Sequence, residues 1–217
     1  MRESTSARRK MKDISANFLA ALQAARDGSI VPRRAVTFYA KDRLTGALVE
    51  VGFWTGDEDV VFEVVSGTTG VAEERTFYGA LNLDIGEIPR VADLTTQTVS
   101  IRFSQVADIA QQLVRGYDIR LARVEIHDVL LDATAKQPVG PGEIAFLGQV
   151  DEAPIHTPAA GEEGDVTVSV ISEAISMLSR TNPQKASYQG QKRRSGDEWG
   201  KYKGTVGTWE VPWGQKS

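Results

Sequence analysis

The residues able to do chemistry are few, and their spacing does not suit it. The sequence holds no cysteine and two histidines, His127 and His156. Without thiolates there is no disulfide, no thiolate zinc site, no cysteine-ligated iron–sulfur cluster and no Cys nucleophile. His127-Asp128 is the one His–carboxylate neighbour pair. On a strand, adjacent side chains point to opposite faces, so these two form no catalytic dyad there. The sequence has no G-x-S-x-G elbow and no H-E-x-x-H motif. Gly67/Gly70 and Gly140/Gly142 lack the Lys-Ser/Thr that completes a phosphate loop. Gly200-Lys201 runs into Tyr202, which cannot take the Ser/Thr role on Mg²⁺.

The acid clusters are weighed in the same way. Asp57-Glu58-Asp59, with Glu63 close by, and Glu162, Glu163 and Asp165 place several oxygens together. A calcium loop needs acids at alternate positions, a glycine and a distant Glu, and neither cluster has them. Solvated acidic turns are the favoured reading. Among 29 Asp and Glu, no pair stands out for glycoside cleavage. The residue types therefore predict no enzyme, no metal site and no cofactor.

Charge is unevenly distributed. Residues 1–12 hold five Lys/Arg against one acid, and residues 182–217 hold seven against three, so each end carries +4. The total is −4, which leaves −12 on residues 13–181. Arg8-Arg9-Lys10 and Lys192-Arg193-Arg194 are the two basic clusters. Tyr188, Trp199 and Tyr202 lie near the second, and Trp209 and Trp213 follow. From charge alone, solvated termini are the plainer reading. Aromatics interleaved with cations can stack bases, but an acidic body repels a phosphate backbone. Docking on acidic protein surfaces explains the same residues, because Trp and Arg are favoured interface anchors. These eleven residues are the candidate interaction set.

The elements that must position them follow from periodicity. Ile14, Phe18, Leu19, Leu22 and Ala25 predict an N-terminal helix, with Asp13 as N-cap and Gly28 as its stop. Pro32 closes that segment. Strands are predicted at 35–40, 48–54, 60–65, 76–83, 98–103, 119–131, 144–150 and 166–171. The apolar face of 119–131 switches midway, which predicts a bulge or a move between sheets. Helices are predicted at 106–115 and 172–180. The longest apolar runs are too short to span a membrane. No signal-type apolar core follows the basic start, which argues against a cleaved secretion signal. The expected division is a basic arm and helix at 1–31, a first β-rich domain at 32–135, a second strand–helix part at 136–185 and an extended arm at 186–217. The fold class is mainly β with short helices, a barrel or sandwich with extensions.

Three stretches carry a resemblance. One is DRLTGALVEVGFWTGDEDV at 42–60. Another is TFYGALNLDIGEIPRVADLTTQTVSIRFSQ, continuing into ADIAQQLVRGYDIRLARVEIHDVLLD with its Arg-Gly-Tyr-Asp strand opening. The third is FLGQVDEAPI, then the block from Val166 through Gly196-Asp197 to Trp213-Gly214. In this order they resemble the tail-tip and baseplate hub proteins of long-tailed phages and gene transfer agents. Some of those carry a Cys-ligated iron–sulfur cluster, which this sequence cannot hold. The resemblance implies a tail-tube-like β core and a virion ring, a trimer in preference to a hexamer, assembled in the host cytoplasm. Its implied partners are other copies, the tail tube or distal tail protein, the tape measure protein and the central receptor-binding fibre. DNA would pass through the lumen without specific binding.

Overall fold

Alternating apolar residues build most of the structure. The computed structural model describes residues 14–26, 28–90, 96–104, 107–154, 164–174, 187–209 and 214. Two compact units divide the chain, Met1–Met177 and Leu178–Ser217.

The first unit opens with α1 (Ala16–Ala24), capped by Ser15, whose hydroxyl accepts from the Phe18 amide. The expected cap, Asp13, lies outside the described residues. Phe18 is the one buried side chain of α1, and Leu19 and Leu22 stay partly exposed. Nine strands follow: β1 (Ile30–Asp42), β2 (Leu48–Trp54), β3 (Val60–Val65), β4 (Ala72–Tyr78), β5 (Asp84–Ile85), β6 (Thr98–Ser104), β7 (Tyr117–Asp132), β8 (Glu143–Glu152) and β9 (Asp165–Ser172). A short helical segment precedes β7, first α2 (Asp108–Gln111) and then a wider π turn over Gln112–Gly116. The helix expected at 172–180 falls largely outside the described residues, and Ser172 ends β9.

All nine strands join one mixed sheet in the order β3-β4-β2-β1-β7-β8-β9-β6-β5. The chain is mainly β, as expected, but the sheet is not closed into a barrel. Its end strands, β3 and β5, do not pair with each other. The sheet curls nonetheless. Phe53 of β2 and Phe103 of β6 lie five strands apart in the order, yet their ring centroids are 5.3 Å apart. The concave face buries Val36 and Phe38 of β1, Val99, Ile101 and Phe103 of β6, and Val166, Val168 and Val170 of β9. Each fully buried Phe there contributes about 2–3 kcal/mol. The opposite face carries a smaller cluster of Ala35, Trp54, Phe62, Val64, Phe77 and Val129. β8 and β9 pair within the same sheet as β1 and β7, so the boundary at 135/136 lies inside one sheet.

Two local features depart from the sequence reading. Pro32 does not close the helical segment but sits in β1, opposite Leu130. β1 pairs with β2 only from Ala35 onward, so the missing Pro32 amide faces no ladder partner. β4 begins earlier than expected and ends at Tyr78, before Ala80 and Asn82, which both have positive φ. Gly52 is required by packing. A Cβ there would lie 2.4 Å from the Thr76 carbonyl oxygen, where β4 meets β2.

The expected bulge in β7 is present. The β1–β7 register shifts between Tyr39 and Lys41, and Leu121 adopts φ 55. An L side chain in that conformation costs about 1–2 kcal/mol, and Leu121 is also 69% exposed. Leu121→Gly is therefore expected to stabilise the unit by about 1 kcal/mol, raising the melting temperature by about 2–4 °C. Thermal unfolding followed by circular dichroism checks this, and a lowered midpoint would refute the strain.

Candidate interaction surface

The second unit carries most of the predicted interaction residues. Its glycines and hydroxyl side chains wind residues 187–209 into short-range turns, not the extended arm expected from composition. Ser187 caps α3 (Tyr188–Lys192) by accepting from the Gly190 amide. Asp197 accepts from the Trp199 amide. A one-turn 3₁₀ helix covers Val206–Thr208. Gly200 is buried, and a Cβ there would meet the Gln191 side-chain oxygen at 2.1 Å.

Turns this tight leave the large side chains outside. Trp199 is 82% exposed, and Tyr202 and Trp209 are each 60% exposed. Lys192 lies over the Tyr188 ring at 5.6 Å and Lys201 over the Tyr202 ring at 5.9 Å. Lys201 also pairs with Glu198 at 3.6 Å. Arg193 and Arg194 are exposed and make no ion pair among the described residues. Tyr188, Lys192, Arg193, Arg194, Trp199, Tyr202 and Trp209 thus share one small unit. Arg8, Arg9, Lys10 and Trp213 lie outside the described residues. Exposed aromatics flanked by cations are suited to docking on an acidic, partly apolar surface.

The sheet unit has a surface of that kind. The turn between β2 and β3 carries Asp57, Glu58 and Asp59, all exposed. Beside it lies a pocket of about 370 Å³, walled by Val31, Trp54, Val60, Leu131 and Pro138. Trp54 is held in place, because its indole N–H donates to the Glu58 carbonyl at 2.6 Å. Its ring lies over Gly56, where a Cβ would come within 2.2 Å of it. Asp59 accepts from the Gly79 amide. A larger groove of about 700 Å³ separates α1 from β1 and β7, but Arg34 and Arg90 there both lean on Asp128. Among the described residues, no group of three or more acids and histidines is placed to hold a metal ion. No helix among them is long and apolar enough to cross a membrane.

The sequence reading missed a buried charge network on the convex face. Arg75 of β4 is 5% exposed at its side chain, and Glu125 of β7 is fully buried. Arg75 meets Glu125 and Glu50 at 2.8 Å each, and Glu73 at 3.1 Å. Glu125 also accepts from the Gly67 amide at 3.1 Å and pairs with Arg123 at 3.2 Å. Burial, reinforced by Glu125, pushes the Tyr39 phenol up. Burial likewise raises the Glu50 carboxyl above its ordinary range. The network fastens the β3–β4 hairpin and its turn onto β7. The one available signal was Glu125 and His127 alternating within the apolar run of β7.

His127 is fully buried in this network, 3.9 Å from Glu125. Its Nε2 donates to the Val65 carbonyl at 2.9 Å, and its buried Nδ1 has no hydrogen-bond partner among the described residues. Burial holds the imidazole below its ordinary value of 6.5, despite the Val65 bond and the Glu125 charge. The unfolded chain then takes up a proton below about pH 6.5 that the folded chain still refuses. His127 contributes stability above that pH, and the contribution is lost as pH falls through the lower folded value. The urea midpoint is expected to drop between pH 7.5 and 5.5 by more in the native sequence than in His127→Gln. Equal drops would assign the effect to other groups.

No family model matches this sequence, and no curated protein matches it.

Proposed function

We propose that this chain is a structural ring subunit of a phage tail tip or baseplate, joining the tail tube and distal tail ring to the receptor-binding fibre. The observation that carries the reading is the pairing of two unlike surfaces in one chain. A small unit presents exposed Trp199, Tyr202 and Trp209 beside Arg193 and Arg194, which pair with no acid among the described residues. A separate sheet unit presents an acidic-rimmed, partly apolar pocket. A cyclic ring needs two different, complementary faces, because each contact is heterologous. The resemblance over most of residues 14–214 supports the same class. In this reading the curled sheet is the counterpart of a tail-tube-like core, left open along β3 and β5. A negative lumen would let DNA pass without adhering.

A hexameric distal tail or tail-completion ring is the second reading, and copy number separates the two. The test is sedimentation of the purified chain with negative-stain imaging of the assembled species. Three copies around an axis support a hub, and six support a distal ring. A monomer that cleaves peptidoglycan, and loses the activity on single acid-to-alanine changes, would replace the structural reading with a tail-associated hydrolase. Retention on DNA with a steep salt dependence, lost on deleting residues 182–217, would indicate nucleic-acid binding.

A further inference from the structure

We propose that the pocket beside the Asp57–Asp59 turn seats a tryptophan from the C-terminal unit of a second copy, with Asp57 and Glu58 facing that unit's cations. This rests on the ring-subunit reading and names the surface that such a ring would use. The pocket's volume of about 370 Å³ falls within the range of clefts that enclose a compact ligand group. Its walls are preformed and mixed, with Val31, Trp54, Val60, Leu131 and Pro138 as the apolar part of a lining that is more than half polar. Trp54 is anchored through Glu58 and stacks edge-on against Phe62, with ring centroids 6.0 Å apart. Its rim is acidic. Asp59 is engaged by the Gly79 amide, whereas the Asp57 and Glu58 carboxylates have no partner among the described residues. Arg33 and Lys136 also line the pocket, and the three acids remain in excess.

The occupant follows from charge and shape together. Residues 187–209 hold five Lys/Arg against two acids, a net of +3. They expose an indole, Trp199, to 82%, and a second, Trp209, to 60%. An indole suits the apolar part of the walls, its N–H can meet their polar part, and flanking cations suit the Asp57 and Glu58 carboxylates at the rim. Donor and acceptor are different surfaces, so the contact between copies is head to tail and closes into a ring when the rotation permits.

The experiment uses the full chain and sedimentation velocity over a concentration series. Asp57→Lys with Glu58→Lys is expected to raise the concentration for half-assembly by at least about tenfold. Asp59 is left alone because it holds Gly79. Lys192→Glu, Arg193→Glu and Arg194→Glu together should do the same. Combining both sets in one chain should restore assembly by swapping the charges. Unchanged thermal melting shows that the turn variant is folded. If the native chain assembles and the turn variant assembles equally well, or the swapped chain stays apart, the pocket assignment fails and the ring reading stands. If the native chain stays monomeric at high concentration, both fail. A monomer with shielded tryptophan fluorescence would overturn the assignment in favour of docking within one chain.

Discussion

Arg75→Met lowers the stability of the sheet unit by about 3–5 kcal/mol, the expected cost of removing one partner from a buried ion pair. The guanidinium is the shared cation of three carboxylates, Glu50, Glu73 and Glu125. Glu50 and Glu73 are each 42% exposed at the side chain, so solvent screens much of their share. Glu125 is fully buried and carries most of the loss. It would keep the Gly67 amide and Arg123, which is itself 27% exposed. Arg75→Lys is expected to recover part of the stability, because an ammonium restores charge but not the planar fork. Pairing Arg75→Met with Glu125→Leu should recover more, because no buried charge is then left alone. Urea unfolding at neutral pH checks all three variants. A loss below about 1 kcal/mol in Arg75→Met would place the network among surface pairs.

Deleting residues 186–217 abolishes self-association and leaves the sheet unit's unfolding within about 0.5 kcal/mol of the full chain. The basis is the division at 177/178 into two compact units. A core made by the curled sheet alone keeps its buried Phe and Val after the deletion. The exposed aromatics, in contrast, are removed together. Trp199→Ala or Trp209→Ala in the full chain should weaken association by about thirtyfold if that indole is the anchor, the loss of one interface hot spot. Denaturant melts of the truncated chain and sedimentation of all variants read the two effects separately. A truncated chain that unfolds would make the C-terminal unit part of the core, and the docking idea would fall with it.

Much of the sheet was legible because its strands alternate strictly. Val99, Ile101 and Phe103, and Val166, Val168 and Val170, declare one buried face each, and they pair in the structure. The switch of faces in 119–131 was also legible as a bulge, because period two breaks at a definite residue. Closure was not legible. Whether a sheet shuts depends on the pairing of its two end strands, and β5 is only Asp84–Ile85. The buried network was hidden for another reason. Arg75 and Glu125 are fifty residues apart, and each alone resembles a solvated charge. Only the fold brings them together. The C-terminal segment is legible as cationic and aromatic, but its glycines make turns where composition alone predicts extension.

The way the β3–β4 hairpin is attached has a mechanical consequence. Among the described residues, β4 pairs with β2 at Gly52–Phe77 and Phe53–Tyr78, and β3 bridges to the approach of β8 at Val64–Gly142. Few backbone bonds therefore oppose lifting the hairpin as one body. What resists is a small apolar patch and a set of side-chain links: Arg75 to Glu125 and Glu50, His127 to the Val65 carbonyl, and Glu125 to the Gly67 amide. β1 and β7, zipped along almost their whole length, form the rigid spine. The sheet is accordingly a stiff frame with one ion-clasped flap, and its least costly opening exposes the face that carries Trp54.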